Sequence, residues 1–71
     1  FPYNAGRIFA LALLSEVPLS QQDIASALQI SQSVVSVTLK QLVLVGLIER
    51  VRVPGDRRAL YSMPQAAERL M

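Results

Sequence analysis

Between Asn4 and Ser15 the apolar positions Ile8, Phe9, Leu11, Ala12, Leu13 and Leu14 leave little polar face. That pattern predicts a helix buried on more than one side. Pro18, in Val17-Pro18-Leu19, biases Val17 toward extended backbone and ends the helix. A second helix begins at Ser20, where the serine caps, Asp23 completes a capping box, and Leu19 and Ile24 take the flanking apolar positions. It runs through Ile24, Ala25 and Leu28 to about Gln29. The third helix has a similar start, with Ser31 as cap and Ile30 and Val35 around it. It ends at Gly46, suited to a left-handed position, with Leu47 beyond for the accompanying apolar contact. So short a link between helices two and three forces them to cross sharply, which is a helix-turn-helix arrangement.

After Gly46 the period changes. Leu47, Ile48, Val51 and Val53 are interleaved with Glu49, Arg50 and Arg52, then Pro54-Gly55-Asp56 is followed by Ala59, Leu60, Tyr61 and Ser62. This predicts two strands joined by a turn, a β-hairpin with arginines in and beside its loop. Pro64 opens a last helical segment over Gln65–Met71. The expected fold is mainly α with a small β-hairpin.

Composition narrows what such a fold can do. The chain has 71 residues, enough for one domain at most, and the expected unit is the single domain 1–71. Neither cysteine nor histidine occurs, which removes disulfides, thiolate and imidazole metal sites, and the usual general base. An enzyme would need Glu16, Asp23 or Asp56 paired with a lysine, and no spacing brings such a pair together. No catalysis, metal or cofactor is expected. The hydrophobic fraction is 52%, high for a small free-standing domain with 17% charged residues. A membrane span does not account for it, because the longest apolar runs, Ile8–Leu14 and Leu42–Ile48, hold seven residues each, where spanning needs about 20. Arg7 before the first run faintly mimics a signal peptide, but Glu16 and Asp23 follow and no cleavage pattern appears. The apolar excess is instead expected to be covered by further chain. Phe1 in place of Met and the unfinished last segment point the same way, to a piece of a longer protein.

The net charge is only +2, yet it is unevenly spread. Over residues 1–48, Arg7 and Lys40 balance Glu16 and Asp23, whereas Arg50, Arg52, Arg57 and Arg58 face only Asp56 over residues 50–58. A polyanion would meet that segment. On the third helix, at roughly 100° per residue with Val35 inward, Leu39 and Leu42 also point inward. Ser33, Ser36, Val37 and Lys40 occupy the opposite half, Gln32 lies on the flank, and no acid occurs from Ser31 to Ile48. Small, hydrogen-bonding, acid-free surface is what a helix entering a DNA major groove requires. Ser, Gln and Lys outside a helix are also ordinary solvated positions, so the weight comes from the tight turn before the helix and the arginines after it. Arg57 and Arg58 sit at or near the loop tip, within reach of a minor groove or phosphates. Asp56 is suited to hold an arginine in one orientation through a charge-assisted bond. The aromatics Phe1, Tyr3, Phe9 and Tyr61 are read as packing residues rather than a base-stacking platform.

From Asn4 to Tyr61 these features resemble the winged helix-turn-helix domain of the MarR superfamily of transcriptional regulators, and within it the GbsR-like branch. The resemblance is carried by Gly6-Arg7-Ile8, Leu14-Ser15-Glu16-Val17-Pro18-Leu19-Ser20, Asp23-Ile24-Ala25, Leu28, and Ile30 through Ser36. Leu42, Gly46-Leu47-Ile48-Glu49-Arg50 and Val53-Pro54-Gly55-Asp56-Arg57-Arg58 complete it. It implies a three-helix core plus wing and the start of a further C-terminal helix. It further implies a cytoplasmic, homodimeric repressor or activator reading a palindromic operator in double-stranded DNA. Helix 31–45 would enter the major groove through Gln32, Ser33, Ser36, Val37 and Lys40. The wing over residues 50–61 would use Arg52, Arg57 and Arg58 on the minor groove and phosphates, with Asp56 orienting Arg58. Regulators of this kind often dimerise through helices outside the winged core and respond to small molecules. In the GbsR-like branch the linked pathways include synthesis of compatible solutes from choline. Val37 and Gln41 depart from the pattern, standing where relatives commonly carry basic or polar contact residues. Val37 is suited to touch a thymine methyl. The competing expectation is a winged helix used for protein–protein contact, which the outward Val37 and Leu44 and the low net charge favour and the arginine wing opposes.

Overall fold

The computed structural model describes residues 3–64. The helical segment expected over 65–71 lies outside them. Three helices, α1 (Tyr3–Leu14), α2 (Gln21–Leu28) and α3 (Gln32–Leu44), pack around one core. Three short strands, β1 (Leu19–Ser20), β2 (Glu49–Val51) and β3 (Leu60–Ser62), close one side. No helix is long and apolar enough to cross a membrane.

Each helix boundary has a local chemical cause. Ser20 Oγ accepts from the Asp23 amide at 3.0 Å, and Asp23 Oδ2 accepts from the Ser20 amide at 3.1 Å. This reciprocal pair starts α2, and the Ser20 amide, followed by the Ser20 hydroxyl, holds the Asp23 carboxyl below its usual range. Ser31 Oγ accepts from the Val34 amide at 3.2 Å and starts α3. At the far end of α3, the Gly46 amide donates to Val43 at 3.1 Å and the Leu47 amide to Leu42 at 3.0 Å. That double closure needs a left-handed residue, which Gly46 supplies at φ 83°.

Between α2 and α3 the chain turns through Gln29, whose φ of 56° and ψ of 46° are left-handed without glycine's freedom. The Ile30 amide closes the turn onto Ala25 at 3.1 Å. Arg7 reaches across from α1 and donates to the Leu28 carbonyl, at the end of α2, at 2.9 Å. The Arg7 guanidinium also lies 5.5 Å from the centre of the Tyr3 ring. The tail of α2 is thereby tied to α1 by a charged donor on an otherwise orphan carbonyl.

The core consists of Ala5, Ile8 and Ala12 from α1, Ile24 and Ala25 from α2, Val35, Leu39 and Leu42 from α3, and Ile48. The inward face expected for α3 is the one observed. Helix α1 differs from expectation, because only one side of it is buried. Leu13 and Leu14 are exposed, as is Tyr3, which packs against Arg7 rather than the core.

The expected two-stranded hairpin is present as β2 and β3, paired antiparallel with Val51 opposite Leu60. It is part of a larger sheet in the order β1-β3-β2, because Leu19 and Ser20 pair with Tyr61 and Leu60. The pairing anchors the wing to the start of α2. Residues 52–59 form the wing loop, where the Asp56 amide donates to Val53 at 3.0 Å. Pro54 and Gly55, the latter at φ 88°, are the two central residues of this turn.

Replacing Gln29 by glycine removes a side chain from left-handed backbone and is expected to stabilise the fold by about 0.5–1 kcal/mol. A rise in denaturant midpoint at unchanged slope would bear this out; a fall would contradict the strained turn. Arg7→Ala is expected to cost about 1–2 kcal/mol through the lost charged hydrogen bond, and a midpoint unchanged within error would show that the bond contributes nothing.

Candidate nucleic-acid interface

The outer face of α3 is built by the same geometry that buries Val35, Leu39 and Leu42. Gln32, Ser33, Val37 and Lys40 are exposed and Ser36 is half-buried. Val34 belongs to this face as well, at 38% exposure beside Val37 at 58%. Val34 had no outward role expected from the sequence; about 100° round the helix from the buried Val35, it reaches the surface. Thr38 is excluded from the face, since it is buried and its hydroxyl donates to the Val34 carbonyl at 2.7 Å.

The wing carries one ordered arginine. Arg58 Nε donates to Asp56 Oδ1 at 3.1 Å, Arg58 Nη2 donates to Oδ2 at 3.0 Å, and the Arg58 amide donates to Oδ1 at 2.9 Å. Three donors from one residue on one carboxylate fix both the side chain and the local backbone. The side-chain bond to Arg58 is the main reason the Asp56 carboxyl sits below its ordinary range, and the same bond pushes the guanidinium up. Arg52 and Arg57 are exposed, and among the described residues no hydrogen bond or ion pair engages them.

Helices and wing meet in a cleft of about 310 Å³ lined by Ser20, Gln21, Gln22, Gln32, Arg58 and Tyr61. Gln21 Nε2 donates to the Gln32 carbonyl at 3.1 Å and draws the first turns of α2 and α3 together. Of the residues expected to form a site, Gln32 and Arg58 thus share one concavity. Gln21 and Gln22 were not anticipated. Their signal was indirect: the Ser20 cap marks where the free amides of α2 emerge, and the residues just after a cap border any cleft formed there. Tyr61 combines both roles, packing against the core and lining the cleft. Arg50 goes elsewhere, into a second groove with Val43, Gly46, Ile48, Glu49 and Pro64.

The cleft contains Arg58 and amide side chains, and no acid lines it. Among the described residues no group of acids could hold a metal ion. The arrangement can accept an extended anion and offer hydrogen bonds to it, but it assembles no nucleophile or general base.

The profile of the MarR family matches residues 5–59. A solved transcriptional regulator is 34% identical at a TM-score of 0.80, over 89% of this chain and 44% of its own. A mutant of MepR from S. aureus is 26% identical at a TM-score of 0.83, over 99% of this chain and 52% of its own. PcaV from Streptomyces coelicolor, solved with its natural ligand, shares the fold at 24% identity and a TM-score of 0.79, over 99% of this chain and 50% of its own. The chain therefore spans about half the length of these relatives or less. No curated protein matches it. The match is to the family as a whole, without singling out one branch. Fold, caps, wing and profile agree that the chain belongs to the MarR family.

Proposed function

We propose that the chain is the DNA-binding unit of a dimeric transcriptional regulator that reads double-stranded DNA. The observation that carries this is the cleft in which Gln32, from the first turn of the acid-free α3, and Arg58, from the wing, face the same space. Helix α3 lies in the major groove, with Gln32, Ser33, Ser36, Val37 and Lys40 toward bases and phosphates. Arg52, Arg57 and Arg58 meet the minor groove and flanking phosphates. Asp56 acts by positioning: it occupies Nε and Nη2 of Arg58 and leaves the other amino group to point outward. The place of action is the cytoplasm.

The homodimer is supported by exposed apolar side chains. Leu13 and Leu14 end α1 and Val17 follows it, while Leu44 ends α3 and Val45 and Leu47 follow it. Because β1 and β2 both run antiparallel to β3, the approaches to β1 and β2 come to one end of the sheet, away from the wing loop. Surface of that kind calls for cover by a subunit or by more chain. The GbsR-like placement, and with it a small-molecule effector bound outside this segment, rests on the motif residues given above.

A protein-contact module is the second reading, favoured by the exposure of Val34, Val37 and Leu44. Salt separates the two. With three to five basic groups per protomer, the DNA reading expects log affinity to fall against log salt with a slope of roughly −5 to −9 for a dimer. In Arg57→Ala/Arg58→Ala the slope should shrink by roughly 2–4, as measured by anisotropy on a random duplex. Negligible binding at low salt by folded protein would instead favour the protein-contact module.

Asp56→Asn separates positioning from charge. It removes one negative charge, so affinity for random duplex should hold or rise. The preference for a selected operator over random duplex should fall about 2- to 10-fold, the cost of ordering one long side chain. An unchanged preference would remove the positioning role. The pH dependence has a definite sign. Asp56 is depressed in the folded state, so the ion pair is intact above the ordinary carboxylate range and is lost only as pH falls through the depressed value. From pH 5.5 to 8, approximately, operator preference should be flat, and a carboxylate-like transition inside that window would contradict the assignment.

A further inference from the structure

Val34 and Val37 are unusual contact residues for a surface that meets DNA, because their methyl groups can neither donate nor accept a hydrogen bond. They stand three residues apart on α3, at 38% and 58% exposure, with their Cβ atoms about 5–6 Å apart. Both are exposed in the N-terminal half of the helix, and Ser33 and Lys40 are exposed too. Two local features keep the pair in place. Valine in a helix has one strongly preferred rotamer, and the buried Thr38 hydroxyl is tied to the Val34 carbonyl at 2.7 Å. The result is a small, rigid apolar patch in an acid-free polar surround, where Gln21 holds the first turn of the helix through the Gln32 carbonyl.

In the major groove, one apolar group varies with sequence: the C5-methyl of a pyrimidine. Successive pyrimidines on a strand are separated by about 3.4 Å of rise, so a valine pair about 5–6 Å apart spans neighbouring steps. We propose that Val34 and Val37 are specificity-determining residues that together read C5-methyl groups at two neighbouring base steps of each half-site. The inference rests on the reading above that α3 enters the major groove. Thymine supplies this group in ordinary DNA, and 5-methylcytosine carries the same group. Ser33 and Lys40 contribute hydrogen bonds and charge beside the pair, which is insensitive to the rest of the base.

The test uses the intact protein and duplexes it selects from a random library. Each selected duplex is compared with one carrying deoxyuridine in place of the half-site thymines, a change that deletes only the methyl groups. Loss of the paired methyls should weaken binding about tenfold, while deoxyuridine outside the half-sites should have no effect. Val34→Ala/Val37→Ala should bind the thymine duplex less tightly and no longer distinguish it from the deoxyuridine duplex. Alanine at exposed helical positions favours the helix, so this variant keeps its fold. With cytosine at the same positions, 5-methylation should recover part of the lost affinity if the methyl group itself is read; no recovery would restrict the contact to thymine and overturn the general C5-methyl reading. Equal binding of thymine and deoxyuridine duplexes by the unaltered protein, or an undiminished preference in the double variant, would overturn the assignment. If no duplex is selected and binding is independent of salt, the DNA reading itself fails. Selection of duplexes indifferent to methyl groups would instead leave that reading standing and defeat only the valine pair.

Discussion

The position of α3 depends on a single left-handed residue, Gln29, held between two capped helices. With the Ile30 amide on Ala25 and Ser31 capping the next helix, the chain reverses within residues 29–31. Any loosening there would swing α3, because the helix has no other covalent anchor on that side. The structure compensates for the strained backbone from both flanks. Arg7 holds the last turn of α2 through Leu28, and Gln21 holds the first turn of α3 through Gln32. Both are long polar side chains placed on main-chain carbonyls near the helix ends that form the turn.

The wing is anchored by the same logic of short range and few atoms. Strand β1, only two residues long, ties β3 to the start of α2, which brings Arg58 beside Gln21, Gln22 and Gln32. Asp56 then restricts Arg58 with two side-chain bonds and one amide bond. A preorganised guanidinium beside a preorganised helix start reduces the ordering required when a polyanion binds. The apolar residues at the other end of the sheet contribute nothing to that surface and supply the area an assembly would cover.

The features legible in the sequence are those set by neighbours a few residues apart. The capping box of Ser20 and Asp23, the Ser31 cap, the Gly46 terminus and the inward face of α3 each follow from local spacing. That Asp56 would hold a neighbouring arginine was legible for the same reason, whereas Arg58 as that partner came from the family resemblance. The features that were not legible are either non-local or lack their usual signal. Strand β1 is too short to show alternation and exists only because β3, some 40 residues on, pairs with it. The left-handed turn carries Gln29 where glycine or asparagine would have announced it. Arg7 finds its carbonyl 21 residues away, and no spacing rule connects them. The apolar face of α1 looked like core from composition alone, but three helices and a small sheet offer too little surface to cover Leu13 and Leu14.

The most direct measurement of the central claim is an amide-resolved NMR titration of the protein with a short duplex at low salt. The account predicts shifts in two sets: the first turns of α2 and α3 with the outer face of α3, and the wing loop at residues 52–58. Amides near Leu13, Leu14, Leu44 and Val45 should stay unchanged. Shifts confined to those apolar ends, or none at duplex concentrations well above the protein, would contradict an interface built from α3 and the wing.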